Sequence, residues 1–205
     1  MIVERNHVNL KKAQFYKRSE REQRSEGEQR SLPECFIFKD AMQFFRLTPV
    51  FYAHYGQCEE ILNKESRPYY VLLLKVDSLT YAIPLRSHIT HPYCHIANNA
   101  IKSGLDYSKA VIITDRTRYV DPAPVTIRQN EFEVLKQRGF LITKQFTSYV
   151  SLYKKEIRRR LQNPALPKSG LCRYSSLKYF HKELGLGTPI EPTNAGVEPE
   201  VRSLP

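Results

Sequence analysis

The chain has no tryptophan, only 8 glycines and only 4 cysteines in 205 residues. The cysteines, Cys35, Cys58, Cys94 and Cys172, lie far apart with no CxxC pair. That spacing argues against a zinc ribbon and offers no disulfide frame, so free thiols are expected. No apolar run approaches the roughly 18 residues of a membrane span, and the opening MIVERNHVNLKK lacks the apolar stretch of a secretory signal. A cytoplasmic protein with no membrane partner is expected. Acidic residues are scarce as well: 21 Asp and Glu stand against 32 Lys and Arg, for a formal net charge of +11. Glycine-rich phosphate loops, a GxSxG nucleophile motif and the carboxylate clusters of a two-metal nuclease are all missing.

What is present is a globular mixture, 41% hydrophobic and 26% charged, of a length suited to one domain with tails. The positive charge is concentrated. From Lys144 to Lys178 nine basic residues (Lys144, Lys154, Lys155, Arg158, Arg159, Arg160, Lys168, Arg173, Lys178) face one acid, Glu156. A localised basic surplus in a chain with 13 Tyr and 10 Phe points to a polyanionic partner, most often nucleic acid.

Three regions follow from composition. Residues 1–41 contain SEREQRSEGEQRS, a mixed-charge arm without apolar periodicity, helical in part at most. Residues 42–186 form the folded body. Residues 187–205, rich in proline and poor in large apolar side chains, read as a solvated tail. Within the body, Thr48 and Pro49 have the signature of a helix N-cap and first turn. RPYYVLLLKV and LTYAIPL, separated by Asp77-Ser78, read as a β-hairpin with Pro84 near its end. SHITHPYCHIANNA reads as a polar loop, and AVIIT as a short strand. VTIRQNEFEVLKQRGF is helical, with Gly139 as its stop. ITKQFTSYVSLYKKEIRRRLQN begins as strand or turn and continues as a helix burying Val150, Tyr153, Ile157 and Leu161. SSLKYFHKELG is a last helix, from a serine cap to Gly185. Hairpins mixed with helices predict an α+β domain with an antiparallel sheet.

Metal chemistry has thin support. His88, His91 and His95 share one segment with Cys94, an arrangement that could ligate zinc, but beside a basic surface such histidines are more often phosphate or base contacts. No metal and no cofactor are expected. Basic and hydroxyl groups remain. RNA carries its own nucleophile, the 2′-OH, so its cleavage needs only a base, an acid for the leaving 5′-oxygen and cations for the charge on phosphorus. Residues suited to this converge on the hairpin: Tyr52 and Tyr55 before it, Lys64 and Arg67 at its start, Arg86, Ser87 and His88 at its exit. A hairpin returns its two ends to one place, so Arg67 and Ser87 are expected as neighbours.

RPYYVLLLKVDSLTYAIPLRSH resembles the core signature of the ToxN/AbiQ-type endoribonuclease toxins of bacterial type III toxin–antitoxin systems, which include the ToxN, CptN and TenpN groups. The shared pattern is an RPY-like strand start, an apolar strand, a short turn and a Y-x-x-P-L-x-S segment, here Tyr81 to Ser87. Weaker similarity extends over about 45–186, and the longer N-terminal arm is closest to the TenpN-like branch. The resemblance implies a compact, strongly twisted antiparallel sheet with flanking helices. It also implies metal-independent RNA cleavage leaving a 2′,3′-cyclic phosphate, and a phage-defence or growth-arrest role. Its partners would be cellular RNA as substrate and a small repeated pseudoknot RNA antitoxin, in a ring-like protein–RNA assembly. Ser87 falls on the family's active-site serine, Arg67 on its basic residue at the strand start and Tyr52 on its N-terminal tyrosine. The family's Thr-Ser before Pro-Lys becomes Arg86-Ser87-His88-Ile89. With that lysine missing, Arg86, His88 or His91 would supply the cation or the proton.

The expected roles follow from chemistry. Arg67 and Arg86 hold the scissile phosphate, being permanently charged and able to bind it bidentately. Ser87 orients the phosphate or 2′-OH, and His88 is the candidate acid or base. Tyr52 stacks a base or donates a hydrogen bond. Lys64, Lys154, Lys155, Arg158, Arg159, Lys168 and Arg173 are expected to bind RNA backbone. Two other readings stay open: a non-catalytic RNA-binding regulatory protein, which explains charge and aromatics without chemistry, and a DNA-binding regulator, which would need a tighter helix-turn-helix than NPALPKSGLCR allows.

Overall fold

The computed structural model describes residues 42–61 and 70–187. The arm at 1–41, the tail from 188 and the segment 62–69, with Lys64 and Arg67, lie outside the described residues. In chain order the elements are β1 (Phe44–Arg46), α1 (Pro49–Tyr55), β2 (Tyr70–Val76), β3 (Leu79–Arg86), β4 (Cys94–Asn98), β5 (Ser103–Asp106), β6 (Val111–Ile112), α2 (Arg116–Tyr119), α3 (Gln129–Gln137), α4 (Gly139–Gln162) and α5 (Gly170–Tyr174). Two 3-10 turns, Tyr107–Lys109 and Ser176–Phe180, complete the set. The protein is therefore α+β, with a six-stranded antiparallel sheet in the order β1-β2-β3-β5-β4, β6 also pairing with β3, and helices flanking it.

Local chemistry sets the start of this frame as anticipated. Thr48 caps α1 by accepting the Phe51 N–H at 3.3 Å, with Pro49 in the first turn. The β2–β3 hairpin pairs Val76 with Leu79 across Asp77-Ser78, and Asp77 takes the left-handed conformation (φ 53°) that its short side chain tolerates.

The sheet's decisive irregularity lies on the other edge of β3. Leu85 pairs with Leu105 of β5 and Ala82 pairs with Val111 of β6. Three steps along β3 are thus matched by six along its partner, and the three extra residues are extruded as the turn Tyr107–Lys109. Pro84 sits inside the interruption. Thr80 accepts the Ile113 N–H on this edge, so strand alternation aims Pro84 the same way, where its missing N–H leaves no donor unpaired.

Strand alternation also divides the packing. Tyr81 of β3 meets Phe146 of α4 edge-on, ring centroids 5.0 Å apart, and Ile142, Phe146, Tyr149, Val150, Tyr153 and Ile157 continue that buried helical stripe. Ala82 and Pro84 point the other way and line a pocket with Val71, Leu47, and Phe51 and Tyr52 of α1. Fully burying a residue such as Phe146 contributes about 1.5–3 kcal/mol.

Several expectations are corrected. Segment 94–98, expected as loop, is strand β4, because Cys94 and Ile96 pair with β5. The stretch expected to open as strand or turn is helical from Gly139 on, since Ile142 and Phe146 extend the buried stripe backwards. Gly139 is not a left-handed stop: Arg138 alone (φ −104°, ψ 11°) breaks α3 from α4. Leu161 is exposed rather than buried. The last helix is only a 3-10 turn, though its Ser175 cap and Gly185 (φ 64°) stand where the sequence puts them. No helix among the described residues is long and apolar enough to cross a membrane.

Gly104 is demanded by close approach. It pairs with Arg86, and a Cβ built on it would lie 1.9 Å from the His95 carbonyl oxygen, where β4 bulges between Ile96 and Asn98. Gly104→Ala is expected to cost more than about 2 kcal/mol, read as a lowered urea midpoint, because backbone must move to admit the methyl.

Candidate functional site

The extruded turn is organised by a buried carboxylate. Asp106, at the end of β5, has a fully buried side chain whose Oδ1 accepts the Ser108 N–H at 3.0 Å and the Ser108 hydroxyl at 2.7 Å, capping the turn. Its Oδ2 pairs with Arg86 Nη1, and His91 Nε2 stands 3.3 Å from Oδ1. Burial opposes ionisation, but the His91 bond and charge, the Ser108 bond and the Arg86 charge outweigh it and hold the Asp106 pKa below its ordinary value. The turn's carbonyls are met from below: Ser176 Oγ donates towards Ser108 O at 3.2 Å and Ala110 O at 2.5 Å.

Proton accounting fixes the roles within this cluster. Ser108 gives its one proton to Asp106, so its oxygen can only accept from His91 Nε2–H, 3.3 Å away. A Ser-His-Asp triad needs the acid on one ring nitrogen and the serine on the other. Here both partners share Nε2, while Nδ1 is buried with no hydrogen-bond partner. Ser108 is therefore a fixed cap and not a nucleophile.

From the buried Asp106 carboxylate two side chains reach the surface, Arg86 at 27% and His91 at 32% exposure. Ser87 and His88 between them are exposed, and His88 takes a left-handed backbone (φ 58°). Their loop is pinned to the β4–β5 turn, His88 N–H donating to Ile101 O at 3.0 Å and Ile89 N–H to Lys102 O at 3.1 Å. Tyr52, half-buried on α1, lines the pocket that Pro84 and Lys109 share. Pro84 and Arg86 lie two residues apart on one strand, hence on one face and about 7 Å apart. The fold thus places Tyr52 and Arg86 on one sheet face, with the exposed Ser87 and His88 following Arg86 at the end of β3, whereas Arg67 and Lys64 lie outside the described residues.

The histidine set is dispersed. His91 serves Asp106, and His95 turns towards α4, its Nδ1 3.0 Å from Gln145 Oε1, with burial lowering its pKa. Cys94 Sγ donates to the His91 carbonyl. Among the described residues no three His, Cys, Asp or Glu are grouped so that they could hold a metal ion. Of the basic residues on α4, Lys154 approaches Asp77 at 3.9 Å, Arg159 pairs with Glu156 at 3.1 Å, and Lys155 and Arg158 are exposed; Lys168, after the helix, and Arg173, on α5, are exposed as well.

Asp106, Ser108 and Lys109 were not apparent as site residues. The available signal was Asp106-x-Ser108, an Asx-turn pattern, opposite a proline in a central strand. Asp106→Asn is expected to remove about 1–3 kcal/mol at neutral pH by taking the charge partner from the partly exposed Arg86. Because the folded pKa is lowered, the wild-type contribution is present above the ordinary aspartate value near 3.9 and is lost as pH falls below it. The difference in urea midpoint between the two proteins should therefore narrow as pH falls from about 7 to about 3. Comparison of the chain with protein-family models, with curated proteins and with solved structures finds no match.

Proposed function

We propose that this chain is a metal-independent endoribonuclease toxin of the ToxN/AbiQ type, cleaving RNA by attack of the 2′-OH on the adjacent phosphate. The observation that supports it most is the Arg86–Asp106 pair: a guanidinium held by a buried carboxylate at the edge of an exposed Ser87-His88 loop, on the sheet face that carries Tyr52. In the reaction the 2′-oxygen bonds to phosphorus, its proton leaves to a base, the P–O5′ bond breaks and the 5′-oxygen takes up a proton. The products are a 2′,3′-cyclic phosphate and a free 5′-OH. Arg86 would bind the non-bridging oxygens and meet the charge that develops on them, its orientation prepaid by Asp106. Ser87 would bond the phosphate or 2′-OH, His88 would exchange the proton from its exposed position, and Tyr52 would contact a base.

The finer features belong to the same proposal: a cytoplasmic toxin with a strongly twisted sheet of that family, inhibited by a repeated pseudoknot RNA in a ring-like assembly. Lys154, Lys155, Arg158, Arg159, Lys168 and Arg173 would supply sequence-independent phosphate contacts to substrate or antitoxin.

The test is cleavage of mixed cellular RNA by the purified protein in EDTA, with fragment ends mapped. Cyclic-phosphate ends are expected from the wild type, with Ser87→Ala and Arg86→Ala each slower by about 100-fold or more while still binding RNA. Intact RNA with salt-sensitive binding by all three would leave a non-catalytic RNA-binding protein.

A further inference from the structure

Among the described residues four large apolar side chains stand exposed: Val50, Phe140, Leu161 and Tyr174. Lone exposed side chains of this kind are ordinary and need no function. Tyr174 differs from the other three in what surrounds it. It is 56% exposed at the end of α5, follows the exposed Arg173, and its carbonyl accepts Lys109 Nζ at 3.1 Å. Lys178 Nζ lies 3.5 Å from the Arg173 carbonyl. Both lysines share one carboxylate, Glu60, so with Arg173 the group keeps a net positive charge beside the backbone that carries the exposed Tyr174 ring. Lys109 is the last residue of the turn that Asp106 caps, and it lines the Tyr52 pocket.

We infer that Tyr174, Arg173, Lys109 and Lys178 form a nucleotide subsite for single-stranded RNA, in which an unpaired base stacks on Tyr174 and the cations hold its phosphate. The inference rests on the RNA reading above and extends it, since the strand would run from the Arg86 site across the extruded turn onto α5. An exposed aromatic ring with basic side chains close by in the same segment is how proteins bind unpaired nucleotides without reading their sequence. The opposing physical account is that Lys109 and Lys178 serve only to satisfy the last carbonyls of a short helix, as cations at helix C-termini do. That account asks nothing of the tyrosine ring, whereas a nucleotide subsite requires it, so the two are separable by experiment.

The chain's lack of tryptophan provides the means. In the full chain carrying Ser87→Ala to prevent cleavage, Tyr174→Trp introduces a single indole. Phe140→Trp is the control: Phe140 lies at the opposite end of the 24-residue α4 from Arg160, which approaches Cys172 of α5, roughly 30 Å away along the helix. The probe is a labelled mixed-sequence single-stranded oligoribonucleotide, with binding followed by anisotropy and stacking by indole quenching. Quenching in the Tyr174→Trp protein and not in the control is expected. Tyr174→Ala should bind the oligonucleotide at least about fivefold more weakly, and Tyr174→Phe should bind as the parent does. Binding by every variant with equal affinity and no quenching would overturn the subsite and leave the RNA reading standing. Absence of binding by the parent and all variants would overturn both.

Discussion

A missing N–H in the middle of the sheet shapes everything around the candidate site. Pro84 stands in β3 with paired strands on both sides, at a position whose amide would point towards β5 and β6. No ladder bond can form there, so the opposite chain gains nothing by running straight past, and it leaves the sheet for three residues. The departure would expose buried peptide groups to an apolar interior. Asp106 meets the amide and hydroxyl of Ser108, and Ser176 meets the carbonyls of Ser108 and Ala110.

A buried charge needs partners, and its need for them organises the surface above. Removing an aspartate from water costs several kcal/mol unless bonds and opposite charge replace the hydration. Arg86 provides the charge and His91 a further bond, and each is thereby held in one orientation where it emerges at the loop that carries Ser87 and His88. A guanidinium fixed in advance need not be ordered at the moment a phosphate arrives, which is the physical advantage of a preorganised anion site. The same turn delivers Lys109 to the Tyr52 pocket and to α5, so one irregularity links the three surfaces that carry the functional argument.

The legible parts of the sequence were those with local causes. Thr48-Pro49 names a helix start, Asp77-Ser78 a hairpin, and Val150, Tyr153 and Ile157 a buried helical face, and each is found. Arg86, Ser87 and His88 adjoin one another because they are consecutive at the exit of one hairpin, while Tyr52 reaches the Pro84 side of it only through the packing of α1. What was not legible depends on partners distant in sequence. Strand β4 exists because β5 lies beside it, and Gly104 matters because the His95 carbonyl approaches it. Thr143 and Ile142 have strand preference but sit in α4, where packing under the sheet overrides it. Asp106 is an ordinary aspartate until Arg86, twenty positions away, and His91 are seen beside it.

The proposed cleavage of RNA requires the buried Asp106 carboxylate to act through Arg86. A double-mutant cycle on the rate of RNA cleavage in EDTA tests it most directly, using Arg86→Ala, Asp106→Asn and the pair, each at a temperature where circular dichroism shows the protein folded. The account predicts strong coupling, the double variant being no slower than Arg86→Ala alone, because an aspartate with no guanidinium to orient has nothing left to contribute. Multiplying losses, with the double variant slower than either single one by the product of their effects, would contradict it and separate Asp106 from the work of Arg86.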